Sequence, residues 1–280
     1  MKALLCYQDG QFKDYNDLSI PVADLGVQRG YGIFDFLRTT EQHAHFLDDH
    51  LDRFFASADA MHLPVSKSRN EIIDIVQTLL KENQLPFSGI KLLLTGGDAS
   101  DGYSIHNPRL SIFQLPLIPP PLVLPEKGIH LVSRAYQRQL PGVKTTDYLM
   151  AIWLQPWLNE QGGDDILYYN QETITECPRS NIFMINHDNV LVTPKENMLW
   201  GITRKKIIEI ADSIGLKTEQ RNIPLEELYK AKEVFISSST KRIMPVEKID
   251  LSYTFSTASN NITRLLWDAF LNLENKKSAT

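Results

Sequence analysis

Five prolines fall within fourteen residues, LPLIPPPLVLPEKG at 115–128. Each removes a backbone donor and fixes φ, so no helix crosses the segment and an extended, polyproline-like course is favoured. In a chain of 280 residues such a stretch acts as a join, and the length fits two modest domains of roughly 100 to 200 residues each. The expectation is a smaller N-terminal α/β domain over 1–117, a Pro-rich linker over 118–127 and a larger C-terminal domain over 128–280.

Apolar periodicity fills in both halves. Asp9-Gly10 between two short apolar runs reads as a hairpin turn, because Gly accepts the positive φ of a two-residue loop. A strand is expected over 33–39, helices over 48–61 (Leu51, Phe54, Phe55, Ala58) and 68–82 (Ile72, Ile75, Val76, Leu79), and strands over 89–95 and 110–115. Beyond the join the pattern predicts strands over 129–134, 165–169, 181–185, 190–193, 217–221 and 233–237. Helices are expected over about 147–160, 202–214, 225–231 and 256–273, with Gly215 as a left-handed cap to the second. Strands with interspersed helices on either side of a proline-rich join make the fold class α/β (α+β) in two domains.

Composition closes several functional classes. Hydrophobic residues at 42 % and charged residues at 22 % are globular values, and a net charge of −5 with no Lys/Arg-rich run offers nothing to a phosphate backbone, so no nucleic acid partner is expected. No apolar run approaches the roughly eighteen residues of a membrane span, and the apolar stretch 3–7 is too short for a signal peptide; a cytoplasmic location is expected. Two cysteines, Cys6 and Cys177, make no disulfide framework, and without CxxC or HExxH spacing no metal is expected. His43 and His45 alternate as strand ligands could, but read as a solvent-exposed pair. TGGDASDGY lacks the GK[ST] of a phosphate loop, GYGIFD is not GxGxxG, and no GxSxG occurs.

What remains is a set of ordered segments: GYGIFDFLRT (30–39), HLDRFFASA (50–58), LPGVKTTDYL (140–149), ITECPRSNIF (174–183), LWGITRKKIIEIA (199–211) and FISSSTKRIMPV (235–246). Together they resemble, over nearly the whole chain, the class IV (fold-type IV) aminotransferases that use pyridoxal 5′-phosphate. That family includes branched-chain aminotransferases, D-amino acid transaminases and aminodeoxychorismate lyases. Its chemistry needs a lysine amine, a carboxylate facing the pyridine nitrogen and an anion site for the phosphate. The resemblance implies Lys144 as the Schiff-base lysine and proton shuttle, and Glu176 as the carboxylate, with Glu172 an exposed alternative and Arg179 a candidate support. For the phosphate it implies Arg53, the backbone amides of Ile202 and Thr203 with the Thr203 hydroxyl, and the hydroxyl pair Ser239 and Thr240. A helix N-terminus presents unsatisfied N–H groups, so the segment from Gly201 suits an anion on physical grounds as well. Ser180 and Asn181 follow the motif, and Tyr148 matches a tyrosine that bonds the cofactor's phenolic oxygen.

For the substrate, Phe34 is followed by Asp35-Phe36, where branched-chain enzymes usually carry glycine two positions after the aromatic. Typical D-amino acid transaminases have tyrosine at Phe34, and the lyases have arginine where Asp101 stands, an acid that repels a carboxylate-rich substrate. QRGYGIFDF, GIKLLLTGG and LPGVKT are most similar to a less typical D-amino acid transaminase group. That likeness implies Arg29 and Lys91 as ligands of the substrate α-carboxylate, with Arg29 supplied by the neighbouring subunit of a homodimer. The reaction it implies moves an amino group between an amino acid such as D-alanine or D-glutamate and an α-keto acid such as 2-oxoglutarate or pyruvate.

Overall fold

Asp9 and Gly10 sit at φ 48° and 95°, the left-handed pair that lets β1 (Leu5–Gln8) turn straight back into β2 (Gln11–Asp14). In the computed structural model, which describes residues 3–257 and 261–278, this hairpin opens the first of two compact units. The first comprises Met1–Pro119 with Val143–Asp147, the second Pro120–Gly142 with Tyr148–Thr280. The short segment carrying Lys144 therefore belongs with the first unit although it lies beyond the prolines.

The first unit continues with α1 (Leu25–Arg29), β3 (Gly32–Thr40), β4 (His43–Ala44), α2 (Leu47–Ala60), α3 (Arg69–Asn83), β5 (Phe87–Thr95) and β6 (Arg109–Pro116). Its strands form one antiparallel sheet in the order β2-β1-β6-β5-β3-β4. Side chains alternate across it. One face sends Ile33, Leu37, Ile90, Leu92, Leu94, Leu110 and Ile112 into a core with Leu51 and Phe54 of α2 and Ile72, Val76 and Leu79 of α3. The other face carries Phe34 and Phe36 of β3 beside Leu93 and Lys91 of β5, their register partners. The Phe36 ring lies over Gly89, where an added Cβ would collide with it. Ser68 starts α3 with a capping box, accepting from Glu71 N–H while the Glu71 carboxylate accepts from Ser68 N–H. His45 corrects the expectation of an exposed histidine pair. It is buried, its Nε2 lies 2.9 Å from Thr40 Oγ1, and the His43 ring packs edge-on against it at 4.9 Å.

The second unit contains β7 (Ile129–Ala135), α4 (Leu149–Trp153), α5 (Gln155–Glu160), β8 (Asp165–Asn170), β9 (Thr173–Ile174), β10 (Asn181–Ile185), β11 (Leu191–Thr193), α6 (Ile202–Ser213) and β12 (Thr218–Gln220). After these come α7 (Leu225–Tyr229), β13 (Glu233–Ser238), β14 (Arg242–Ile249), β15 (Tyr253–Thr254) and α8 (Ile262–Ser278). Its strands run β12-β11-β10-β13-β14-β7-β8-β9, with β15 on β14. All residues of β10 are buried: Ile182 and Met184 enter one apolar cluster, while Phe183 stacks on Phe235 at 4.9 Å.

Two helix expectations are corrected here, and one strand, β14, lies where the sequence pattern predicts none. The helix over 147–160 is two short helices that meet at Leu154, because Pro156 lacks an N–H and occupies the first turn of the second. The strand β14 carries no clear alternation, having Pro245 in its interior, and its apolar pattern is broken where the register shifts between Val246 and Lys248. The last helix begins at Ile262 rather than 256; residues 258–260 of the expected span lie outside the described residues.

Candidate active site

In the first unit the segment Val143–Asp147 is laid against β3. Phe34 N–H donates to Lys144 O at 3.0 Å, Thr146 N–H donates to Gly32 O at 2.9 Å, and Ile33 and Thr145 form an antiparallel bridge. On the other side Lys144 N–H reaches Ser57 Oγ of α2 at 3.4 Å. The backbone of Lys144 is thus held at both its donor and its acceptor. Its ammonium lies 4.4 Å from the centroid of the Phe34 ring, and the ammonium of Lys91 lies 4.8 Å from the same centroid. An aromatic face attracts a cation without fixing it as a carboxylate would. Burial pushes the Lys91 ammonium below the usual lysine range, and among the described residues Lys91 makes no ion pair.

Arg53 is turned toward Asp35. Its Nε donates to Asp35 Oδ2 and its Nη2 to Asp35 Oδ1, each at 2.8 Å, and His50 Nδ1 lies 2.6 Å from Oδ1. Burial alone would raise the Asp35 carboxyl; the Arg53 guanidinium and His50 outweigh it and hold the group well below the usual carboxylate range. For His50 burial dominates and lowers its pKa, opposed by Asp35 and reinforced by the positive charges of Arg53 and Lys144. Arg29 ends α1 at an exposed position and donates from Nε to Gly102 O at 3.1 Å, in a loop where Asp101 accepts from Tyr103 and Ser104.

In the second unit Glu176 is 4 % exposed. It is no solvated strand end: Arg138 Nε donates to Oε1 at 2.7 Å and Leu199 N–H donates to Oε2 at 3.0 Å. The supporting cation is Arg138. Arg179, the candidate suggested by its position three residues after Glu176, is exposed and makes no ion pair among the described residues. Glu172 is exposed at φ 66°. The loop before α6 is clamped twice at Leu199, because the amide Nδ2 of Asn181 donates to Leu199 O at 2.7 Å.

That clamp delivers Gly201 to the N-cap of α6, with Ile202 and Thr203 as the first helical residues and no side-chain cap on their amides. A helix in this state presents unsatisfied N–H groups and the positive end of its dipole. Thr203 is not the cap residue. Glycine is needed at 201 because Asn181 Oδ1 passes where a Cβ would be. Ser180 Oγ is buried with no hydrogen-bond partner. Ser239 and Thr240 form the turn between β13 and β14, and the pairing of Asn181 with Ser237 brings the end of β13 beside the start of β10. Tyr148 is the half-buried residue that precedes α4.

Each unit therefore gathers its own share of the expected residues: Lys144, Phe34, Lys91 and Arg53 in the first, Glu176, Ser180, Asn181, Ile202 and Thr203 in the second. Arg138, Asp35, His50 and Ser57 were not among them. Asp35, His50 and Ser57 lie inside the distinctive segments, but nothing in those segments says that Asp35 meets α2 or that Ser57 meets Lys144. Arg138 lies in no such segment and carries no local signal. The residues present fit pyridoxal phosphate. Taken unit by unit, the chemistry is of the right kind: the second unit has an orphaned buried hydroxyl at Ser180, a buried carboxylate at Glu176 and a bare helix N-terminus suited to an anion at 201–203, and the first has a lysine amine resting on an aromatic ring.

Fold and donor set define a fold-type IV, pyridoxal-phosphate-dependent enzyme. The chain belongs to the class IV aminotransferases: the sequence profile described as amino-transferase class IV matches residues 32–249. It is 30 % identical over 279 residues, 96 % of each chain, to a Methanocaldococcus jannaschii protein whose assignment as a branched-chain-amino-acid aminotransferase is itself provisional. It is 27 % identical to the D-alanine aminotransferase of Staphylococcus haemolyticus over 94 % of this chain and 95 % of that one. In fold it is similar to the branched-chain aminotransferase of Thermoproteus uzoniensis, solved with norvaline, at a TM-score of 0.89 and 22 % identity, covering 98 % of this chain and 96 % of that one.

Proposed function

We propose that this aminotransferase moves the amino group of a D-amino acid, such as D-alanine or D-glutamate, onto an α-keto acid such as 2-oxoglutarate or pyruvate. The observation that carries the reading is the pair of ammonium groups on one ring, Lys144 at 4.4 Å and Lys91 at 4.8 Å from the Phe34 centroid. Lys144 supplies the amine that removes the substrate α-proton and returns it; Lys91, half-buried and without a counter-ion among the described residues, supplies positive charge for the substrate α-carboxylate. Pyridoxal phosphate, when bound, supplies the electron sink for the carbanion.

In this reading Glu176, pinned by Arg138 and Leu199, accepts from the protonated ring nitrogen, which keeps that nitrogen charged. Arg53, the Ile202 and Thr203 amides, and the hydroxyls of Thr203, Ser239 and Thr240 hold the phosphate. Tyr148 bonds the phenolic oxygen, and Ser180 and Asn181 complete the cofactor's surroundings. Arg29 binds the α-carboxylate from the neighbouring subunit of a homodimer, a role its exposed position supports.

A second reading, a branched-chain L-amino acid transaminase, is favoured by the name of the Methanocaldococcus relative. Against it stands Phe36, whose ring covers Gly89 on the sheet face that also bears Phe34 and Lys91. Absorption spectra of the holoenzyme separate the two. Loss of the band near roughly 410 nm with a gain near about 330 nm reports conversion of the cofactor to its amine form. Conversion by D-alanine or D-glutamate and not by L-leucine supports the first reading, and the reverse result replaces it with the second. Conversion by none of them, with pyruvate released from aminodeoxychorismate, points to a lyase.

A further inference from the structure

Asp35 is completely buried on the core-facing side of β3, between Ile33 and Leu37 in the alternation. An ionised carboxylate in such a place is costly unless hydrogen bonds and an opposite charge compensate it. Here four donors meet it. Oδ1 accepts from Phe36 N–H at 2.7 Å, from Arg53 Nη2 at 2.8 Å and from His50 Nδ1 at 2.6 Å, and Oδ2 accepts from Arg53 Nε at 2.8 Å. The two parallel bonds to Arg53 fix the guanidinium plane as well as its position.

The partners come from one face of α2. His50, Arg53 and Ser57 recur at helical spacing, so the face that meets Asp35 through the first two also meets the Lys144 amide through the third. Replacing a buried ion pair with apolar residues of similar volume is commonly neutral or stabilising, so such a network contributes geometry more than stability. The geometry it imposes is specific: one edge of Arg53 is committed to Asp35, which sets the direction of the Nη1 donors, and His50 keeps its proton on Nδ1, facing the carboxylate.

We propose that Asp35 is a positioning residue for the phosphate end of the cofactor site, acting through Arg53 and orienting His50, so that the arginine is aimed before any phosphate arrives. The inference rests on the reading of Arg53 as a phosphate ligand. It adds a buried carboxylate that touches neither cofactor nor substrate.

The test compares binding of pyridoxal 5′-phosphate with binding of pyridoxal, which lacks the phosphate, to the cofactor-free full-length chain, with inorganic phosphate as a competitor. Asp35→Asn keeps the shape and removes the charge. It should weaken pyridoxal phosphate by about tenfold or more, the order expected for loss of an oriented charge-assisted bond, and leave pyridoxal within about twofold. Arg53→Lys should do the same. In the Arg53→Lys background Asp35→Asn should add less than about twofold, because a residue that acts through Arg53 has nothing left to position.

Equal weakening of both ligands by Asp35→Asn, or losses that multiply in the double variant, overturns the inference. An effect of Arg53→Lys with none of Asp35→Asn also overturns it and leaves the phosphate reading standing. No effect of Arg53→Lys removes both. If Asp35→Asn does not fold, Asp35→Glu keeps the charge and displaces it by one methylene. Selective loss of pyridoxal phosphate by that variant supports the proposal, and unchanged selectivity overturns it.

Discussion

Arg138 Nε and Glu176 Oε1 are 2.7 Å apart, in a pair whose side chains are 16 % and 6 % exposed. Thirty-eight residues separate them in sequence, and the pair sets a cation beside a buried carboxylate in the second unit. Arg138→Leu leaves that charge without its cation, which costs about 3–5 kcal/mol of unfolding free energy in comparable buried pairs. Arg179→Leu, at an exposed site, should change stability by less than about 0.5 kcal/mol. Urea denaturation of both variants checks the assignment; equal effects would remove Arg138 from its role.

Lys144→Ala should abolish transamination, by about 10⁴-fold or more, as removal of a covalent-catalysis residue does elsewhere. The fold should survive, because the contacts that seat this segment on β3 and α2 are made by backbone atoms of Lys144 and by Thr146. Turnover and far-ultraviolet circular dichroism measured on the same preparation decide it. Substantial residual activity would sink the lysine's assignment.

Gly201→Ala places a methyl group against Asn181 Oδ1. Overpacking of this kind costs about 1–3 kcal/mol, and here the strain falls on the residue that directs the Ile202 and Thr203 amides. The expected result is a lower melting temperature together with weaker binding of pyridoxal phosphate. Adding Asn181→Ala should recover part of the stability by removing the obstructing oxygen. It should not recover cofactor affinity, because the tie to Leu199 is lost as well.

The His50 cluster makes stability depend on pH. His50 has a folded pKa lowered from the ordinary 6.5, so as pH falls through that value the unfolded chain takes up a proton that the folded chain refuses. Stability therefore falls with falling pH, at up to about 1.4 kcal/mol per pH unit for one proton. Asp35, whose folded pKa is also lowered, contributes stability that is present above the ordinary carboxylate range and lost only as pH falls below it. Unfolding measured at pH 7.5, 6.5 and 5.5 should show a shallower slope for His50→Gln than for the parent chain. Identical slopes would place the proton uptake elsewhere.

Local pattern carried most of the elements. The Asp9-Gly10 hairpin, β3, α2, α3, β10 and α6 follow from turn chemistry, alternation and helical spacing, all set by residues a few positions apart. Elements without such a pattern escaped: β14 has Pro245 within it, β9 has two residues, and the expected helix around Pro156 is divided. The site divides the same way. Lys144, Glu176 and Thr203 could be singled out because each lies in a short motif whose neighbours are themselves distinctive.

Sequence by itself thus determined the family and most of the secondary structure, because those depend on local order along the chain, and it singled out the residues proposed to bear the chemistry. Tertiary structure decided which charges meet. It gave Glu176 to Arg138 rather than to the nearer Arg179, buried Asp35 as the partner of Arg53 and His50, and seated Lys144 with the first unit. Pairing between ions falls off with distance in space and is indifferent to distance along the chain. A carboxylate's partner is therefore settled only when strands and helices have brought remote side chains within bonding reach.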